Sequence, residues 1–157
     1  MHAFSIWLGH TSASGLIRDT TWIIPGVQTV HILCVALVIS AALLLNLRAA
    51  GVLATQVPLS SFAVRYAPAF WIALPILLLS GLILIVGEPE RDLGTVVFWL
   101  KMGLVVAAIL VTLAILAPLR RDPGFWDTRG GRRWLAWCGL ALWAAIVFCG
   151  RWIAYTY

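Results

Sequence analysis

Four long apolar stretches, separated by short polar segments, dominate the chain. They run from about Trp22 to Leu47, Tyr66 to Val86, Thr95 to Leu119 and Trp134 to Tyr155. A helix needs roughly 20 apolar residues to cross about 30 Å of hydrocarbon. Continuous apolarity over such lengths reads as a membrane span, not as an amphipathic surface helix. The pattern predicts an all-α fold: an integral membrane four-helix bundle over residues 22–157, preceded by a short N-terminal interfacial segment over residues 1–21.

The first twenty residues are too polar to span. Phe4, Trp7, Leu8, Leu16 and Ile17 suit one side of a helix lying on the outer membrane face, with Ser12–Gly15 as a candidate break. The segment has no basic start, and His10 and Thr11–Gly15 interrupt its apolar run, unlike a cleaved signal. Pro25 fits the first turn of span one, and Pro75 predicts a kink in span two. Gly81 and the Gly103/Ala107 pair offer small surfaces for close helix approach. Trp22, Tyr66, Trp71, Trp99, Trp134, Trp137, Trp152 and Tyr155 fall near span ends, as in an aromatic belt.

Composition agrees with a bilayer as solvent. Of 157 residues, 62% are hydrophobic and 11% charged, where soluble domains are about half apolar and about a quarter charged. That excludes a disordered chain, a coiled coil and most soluble enzymes. The net charge of +5 would suggest nucleic acid in a soluble protein. Here the cations flank the spans: Arg48 and Arg65 in the first loop, and Arg120, Arg121, Arg129, Arg132 and Arg133 in the third. The second loop sets Glu88, Glu90 and Asp92 against Arg91. The positive-inside rule then predicts both termini outside. The lipid bilayer, not nucleic acid, is the expected partner. Cys34, Cys138 and Cys149 lie in apolar runs and are odd in number. They read as buried thiols, not a disulfide framework.

Ionisable groups inside spans are functional candidates by default, and there are few. His31 lies nine residues after Trp22, roughly 13 Å along the helix. Gln28 and Cys34 flank it at three-residue spacing. A neutral imidazole can ligate haem iron or copper, and a thiolate is a soft copper ligand. The alternative is a histidine that hydrogen-bonds a neighbouring helix. Lys101, with Met102 beside it, stands early in span three. It either snorkels towards Glu88 or binds an anionic ligand group such as a haem propionate. Arg151 near the end of span four offers the same pair of readings. Asn46 and Arg48 read as finishing span one. The candidate cofactor-binding residues are His31, Lys101, Arg151 and Gln28; the candidate metal ligands are His31, Cys34 and Met102. His31, Lys101, Glu88 and Arg151 map to the outer half, and the cytoplasmic half looks nearly free of polar side chains, which predicts an outward-opening pocket and not a through-channel. No phosphate loop, H-E-x-x-H or G-x-S-x-G is present, so nothing marks the chain as a catalytic enzyme on its own.

Ile17-Arg18-Asp19, Trp22-Ile23-Ile24-Pro25, Val30-His31-Ile32-Leu33 and Leu45-Asn46-Leu47-Arg48 with Gly51 resemble a family of small bacterial membrane proteins with no assigned activity. So do Pro58-Leu59-Ser60-Ser61, Ser80-Gly81 and Phe98-Trp99-Leu100-Lys101. More distantly, His31, Gly81 and Lys101 are similar to elements of copper-resistance D proteins and four-helix b-type cytochromes. Those relatives imply copper or haem b. The cytochromes hold haem between two histidines on different helices, whereas only His31 is inside a span here. A second axial ligand would have to be His10, His2, Met102 or a residue across an oligomer interface. The expected function is a cofactor-binding membrane subunit of redox or copper metabolism, acting as a homo-oligomer or with a partner membrane subunit. A cofactor-free structural or assembly subunit is the second reading, and a small-molecule or ion carrier the third.

Overall fold

The computed structural model describes residues 2–89, 93–128 and 133–153. Among the described residues there are helices and no strand. In chain order they are α1 (His2–Gly9), α2 (Ser12–Asp19), α3 (Ile23–Ala49), α4 (Leu59–Gly87), α5 (Val96–Leu116), a 3-10 turn (Pro118–Arg120), α6 (Phe125–Thr128) and α7 (Arg133–Ile153). Four of them, α3, α4, α5 with its 3-10 extension, and α7, are long and apolar enough to cross a membrane. The protein is a multi-pass membrane protein built as an all-α bundle.

Three spans lie within a few residues of the expected bounds. The fourth, α4, starts at Leu59, seven residues before Tyr66. Its 29 residues rise about 43 Å, roughly 13 Å more than the hydrocarbon thickness. The first turns therefore stand beyond the apolar zone. That is why exposed Arg65 belongs to the helix and not to a loop. Pro58 occupies the N-cap, where its missing N–H removes no intrahelical bond. Pro68 and Pro75 both lie inside α4, and the helix continues through them.

α3 packs along α4, α5 packs along α7, and the two hairpins meet where α3 lies on α7. We call the end where α3 starts and α7 finishes the upper end. Two apolar clusters hold the remainder. The lower one joins Leu45, Ala49, Leu59, Phe62, Ile115, Leu119, Trp126 and Ala136. The middle one joins Val38, Ala41, Ala42, Phe70, Ala73, Leu74, Ala108, Trp143 and Ile146. Above them packing thins. On α3 no residue before Cys34 is buried, whereas Leu45, Asn46, Arg48 and Ala49 all are. Many large side chains along the spans, such as Ile32, Leu33, Leu37, Leu79 and Leu110, are exposed and apolar. They face the hydrocarbon that supplies the other half of the hydrophobic environment.

The lower end is fastened by side chains that donate to backbone carbonyls. Arg48 is buried and its Nε donates to Val57 O at 2.6 Å across the α3–α4 loop. Gly51 in the same loop has φ +76°, and the Arg133 guanidinium of α7 comes within 3.2 Å of where its Cβ would stand. Trp126 Nε1 donates to Ile115 O at 2.8 Å, tying α6 to α5. At the upper end α1 and α2 lie against α4. The chain breaks at His10–Thr11, just before the Ser12–Gly15 stretch, and Thr11 caps α2 by accepting from Ser14 N. Ile17 of α2 comes within 3.1 Å of where a Gly87 Cβ would stand.

Two sequence readings need correction. Asn46 does not merely finish α3; it is 1% exposed, inside the bundle. Cys138 is exposed, while Cys34 and Cys149 are buried: an apolar run in a membrane protein faces lipid as readily as protein. Glu90, Arg91, Asp92, Arg129, Gly130, Gly131, Arg132, Tyr155 and Tyr157 lie outside the described residues.

Candidate ligand site

His31 stands on α3 in the upper half, and its partner comes from α4. Nδ1 lies 2.9 Å from Ser80 Oγ. Ser80 Oγ also donates to Leu77 O at 3.0 Å. A serine hydroxyl has one proton and two lone pairs. With the proton given to a carbonyl, which can only accept, Oγ accepts from His31 Nδ1–H. The neutral ring then carries its unshared pair on Nε2. Gly81, next to Ser80, lets the ring approach: His31 Cε1 is 3.3 Å from the position a Gly81 Cβ would take. Ser80 is buried and His31 half-buried.

A cation comes from the other hairpin. Lys101 is half-buried on α5, and its Nζ is 3.6 Å from where a Gly150 Cβ would stand on α7. It lies close enough for its charge to act on the imidazole. An imidazole and an ammonium thus stand in the upper half of the bundle, one on each hairpin. Chemically, such a pair suits a ligand with an electron-accepting centre for Nε2 and an anionic or carbonyl oxygen for Lys101.

The remaining candidates spread around this pair. Cys34 is buried one turn below His31, and Met102 is half-buried on α5. Gln28 is exposed on α3 and Arg151 exposed on α7. Three-residue steps each rotate a helix by about 60°, so Gln28, His31 and Cys34 fan over about 120° of surface. His10 is exposed between α1 and α2, and the side chain of His2 lies outside the described residues. Among the described residues, no group of three His, Cys, Asp or Glu is placed to hold a metal ion. Sequence reasoning singled out His31 but missed the role of Ser80. The signal was the Ser80-Gly81 pair, a hydroxyl beside a gap in an otherwise bulky span.

A shallow apolar groove of about 480 Å³ lies on the other side of Ser80, between α3 and α4. It is lined by Trp22, Val27, Val30, Ile76, Leu79 and Ile83, among others. It faces outward, and His31 is not part of its wall.

The model of a family of unknown function, DUF6644, matches residues 5–156. The chain belongs to that family. No curated protein and no solved structure matches it. The match takes in every described element from Ser5 onward, so His31, Ser80 and Lys101 all fall within the DUF6644 domain.

Proposed function

We propose that this DUF6644 protein is a bacterial inner-membrane subunit, with both termini outside, that holds a redox cofactor in its upper half through His31 Nε2. The observation that carries this is the His31–Ser80–Leu77 chain. Histidines that ligate metals characteristically donate their second ring N–H to a fixed acceptor, which sets the tautomer and makes the ligating nitrogen more basic. His31 has that arrangement. Haem b is the cofactor the residues fit best. His31 Nε2 would hold its iron, Lys101 would offer a cation for a propionate, and Met102 or a residue of a second copy or partner subunit would be the other donor. A bound haem would supply one-electron chemistry. Copper, held by His31 with Cys34 and Met102, is the alternative cofactor.

A cofactor-free packing subunit is the second reading, and one feature favours it. His31 on Gly81, Lys101 on Gly150 and Asn46 on Gly139 each seat a polar side chain against a glycine of a neighbouring helix. Such pairs hold membrane helices together without any ligand.

The experiment is a visible spectrum and elemental analysis of protein purified in mild detergent from haem-sufficient cells. A Soret band lost in His31→Ala, and restored by added imidazole in that variant, supports haem. Stoichiometric copper that falls in His31→Ala and Cys34→Ala supports the copper branch. Colourless, metal-free protein overturns both and leaves the packing subunit.

A further inference from the structure

The lower half holds polar groups that the upper site does not use. Asn46 on α3 and Trp143 on α7 are 1% and 6% exposed. Asn46 Nδ2 donates to Ala42 O at 2.7 Å. That bond orients the amide and turns Oδ1 onto Gly139 of α7, into the space a Cβ would fill. Among the described residues, neither Asn46 Oδ1 nor Trp143 Nε1 has a hydrogen-bond partner. One is an acceptor and the other a donor, and Trp143 stands one helical turn from Gly139.

A third group completes the set. Thr112 on α5 is 2% exposed and donates to Ala108 O at 2.8 Å. Its only proton is thereby used, so Oγ1 is left as an acceptor. The α5–α7 register places it. Lys101 faces Gly150, and Thr112 comes eleven residues after Lys101 while Gly139 comes eleven before Gly150. In an antiparallel pair this sets Thr112 within about one helical turn of Gly139, because the Lys101 contact is made by the tip of a long side chain.

Hydrocarbon offers no partner to unmet polar atoms, so such groups must be satisfied inside the protein. One donor and two acceptors beside Gly139 match a single water, which typically makes about three hydrogen bonds when buried. We propose that the α3–α5–α7 seam binds one structural water, accepting from Trp143 Nε1–H and donating to Asn46 Oδ1 and Thr112 Oγ1. The water links both hairpins at the lower end. It is independent of any cofactor at His31.

The test uses perdeuterated full-length protein in detergent micelles, with ¹⁵N-labelled tryptophan. The Trp143 indole N–H signal is assigned by its loss in Trp143→Phe. The expected result is a nuclear Overhauser cross-peak between that indole proton and water. The cross-peak falls to baseline in Thr112→Val and in Asn46→Leu, and persists in Thr112→Ser and in Ser80→Ala. Thr112→Val preserves side-chain shape, so it reports even where Asn46→Leu fails to fold. No cross-peak in the wild type, as for a direct Trp143–Asn46 bond, overturns the proposal. So does a cross-peak that survives Thr112→Val.

Discussion

Adding one methyl group at Gly139 should damage this bundle more than its size suggests. The Cβ of Gly139→Ala would overlap Asn46 Oδ1, and it would lie 3.0 Å from Asn46 Cγ and 3.3 Å from Nδ2. The amide cannot simply swing aside, because Nδ2 is held by Ala42 O at 2.7 Å. Either that bond breaks or α7 moves off α3. Overpacking of this kind costs about 1–3 kcal/mol. At about 2–4 °C per kcal/mol for chains of this size, the midpoint of thermal unfolding should fall by roughly 2–12 °C. The control is the same substitution in an Asn46→Ala background. There the overlap is gone, and alanine is the better helix former by about 1 kcal/mol. Gly139→Ala should then be neutral or stabilising. The measurement is thermal unfolding of the four proteins in one detergent, followed by tryptophan fluorescence. Equal losses in both backgrounds would refute the claim that Asn46 occupies the glycine gap.

Other expectations follow from the same contacts. Ser80→Ala should leave the protein folded, with a loss near the ~0.6 kcal/mol typical of hydrogen bonds between membrane helices; ¹⁵N spectra of His31 should change from one neutral tautomer to a mixture, and an unchanged spectrum would contradict the tautomer assigned above. Arg48→Met should cost about 1.5–3 kcal/mol, the range for a hydrogen bond to a charged group, and should speed proteolysis within Gly51–Val57, the loop that Arg48 pins. A periplasm-dependent reporter fused after Tyr157 should be active, and activity only of a cytoplasmic reporter would reverse the orientation.

The spans were legible because a bilayer imposes a length on every crossing segment, and composition alone meets or misses it. Helix starts were less legible. Leu59–Arg65 looks like a loop by hydropathy, yet it is helix, because a helix may extend into the headgroup region without being apolar. His31 was legible as a lone ionisable group in a span. Its partner was not, since Ser80 is an ordinary residue until the α3–α4 register brings it to Nδ1. Asn46 was misjudged for a related reason. Counting from the charged end puts it at a boundary, and only the packing of α7 through Gly139 makes that position interior. Lys101 illustrates the same limit: the sequence supports a snorkelling side chain, while Gly150, on another helix, gives its ammonium a place beside the backbone.

The middle cluster separates two polar layers. Val38, Ala42, Phe70, Leu74 and Ala108 lie between His31 above and Asn46, Trp143 Nε1 and Thr112 below. Val38 is seven residues from His31, about 10 Å along the helix, and is fully buried. An apolar layer of this kind resists the passage of charge. With no polar side chain in this layer to carry it further, a charge that appeared at His31 would be expected to exchange with the upper face. Since a full crossing is worth about 2.3 kcal/mol per charge per 100 mV, a change of charge at His31 is coupled to just the fraction of the transmembrane voltage that falls across the thinly packed upper half.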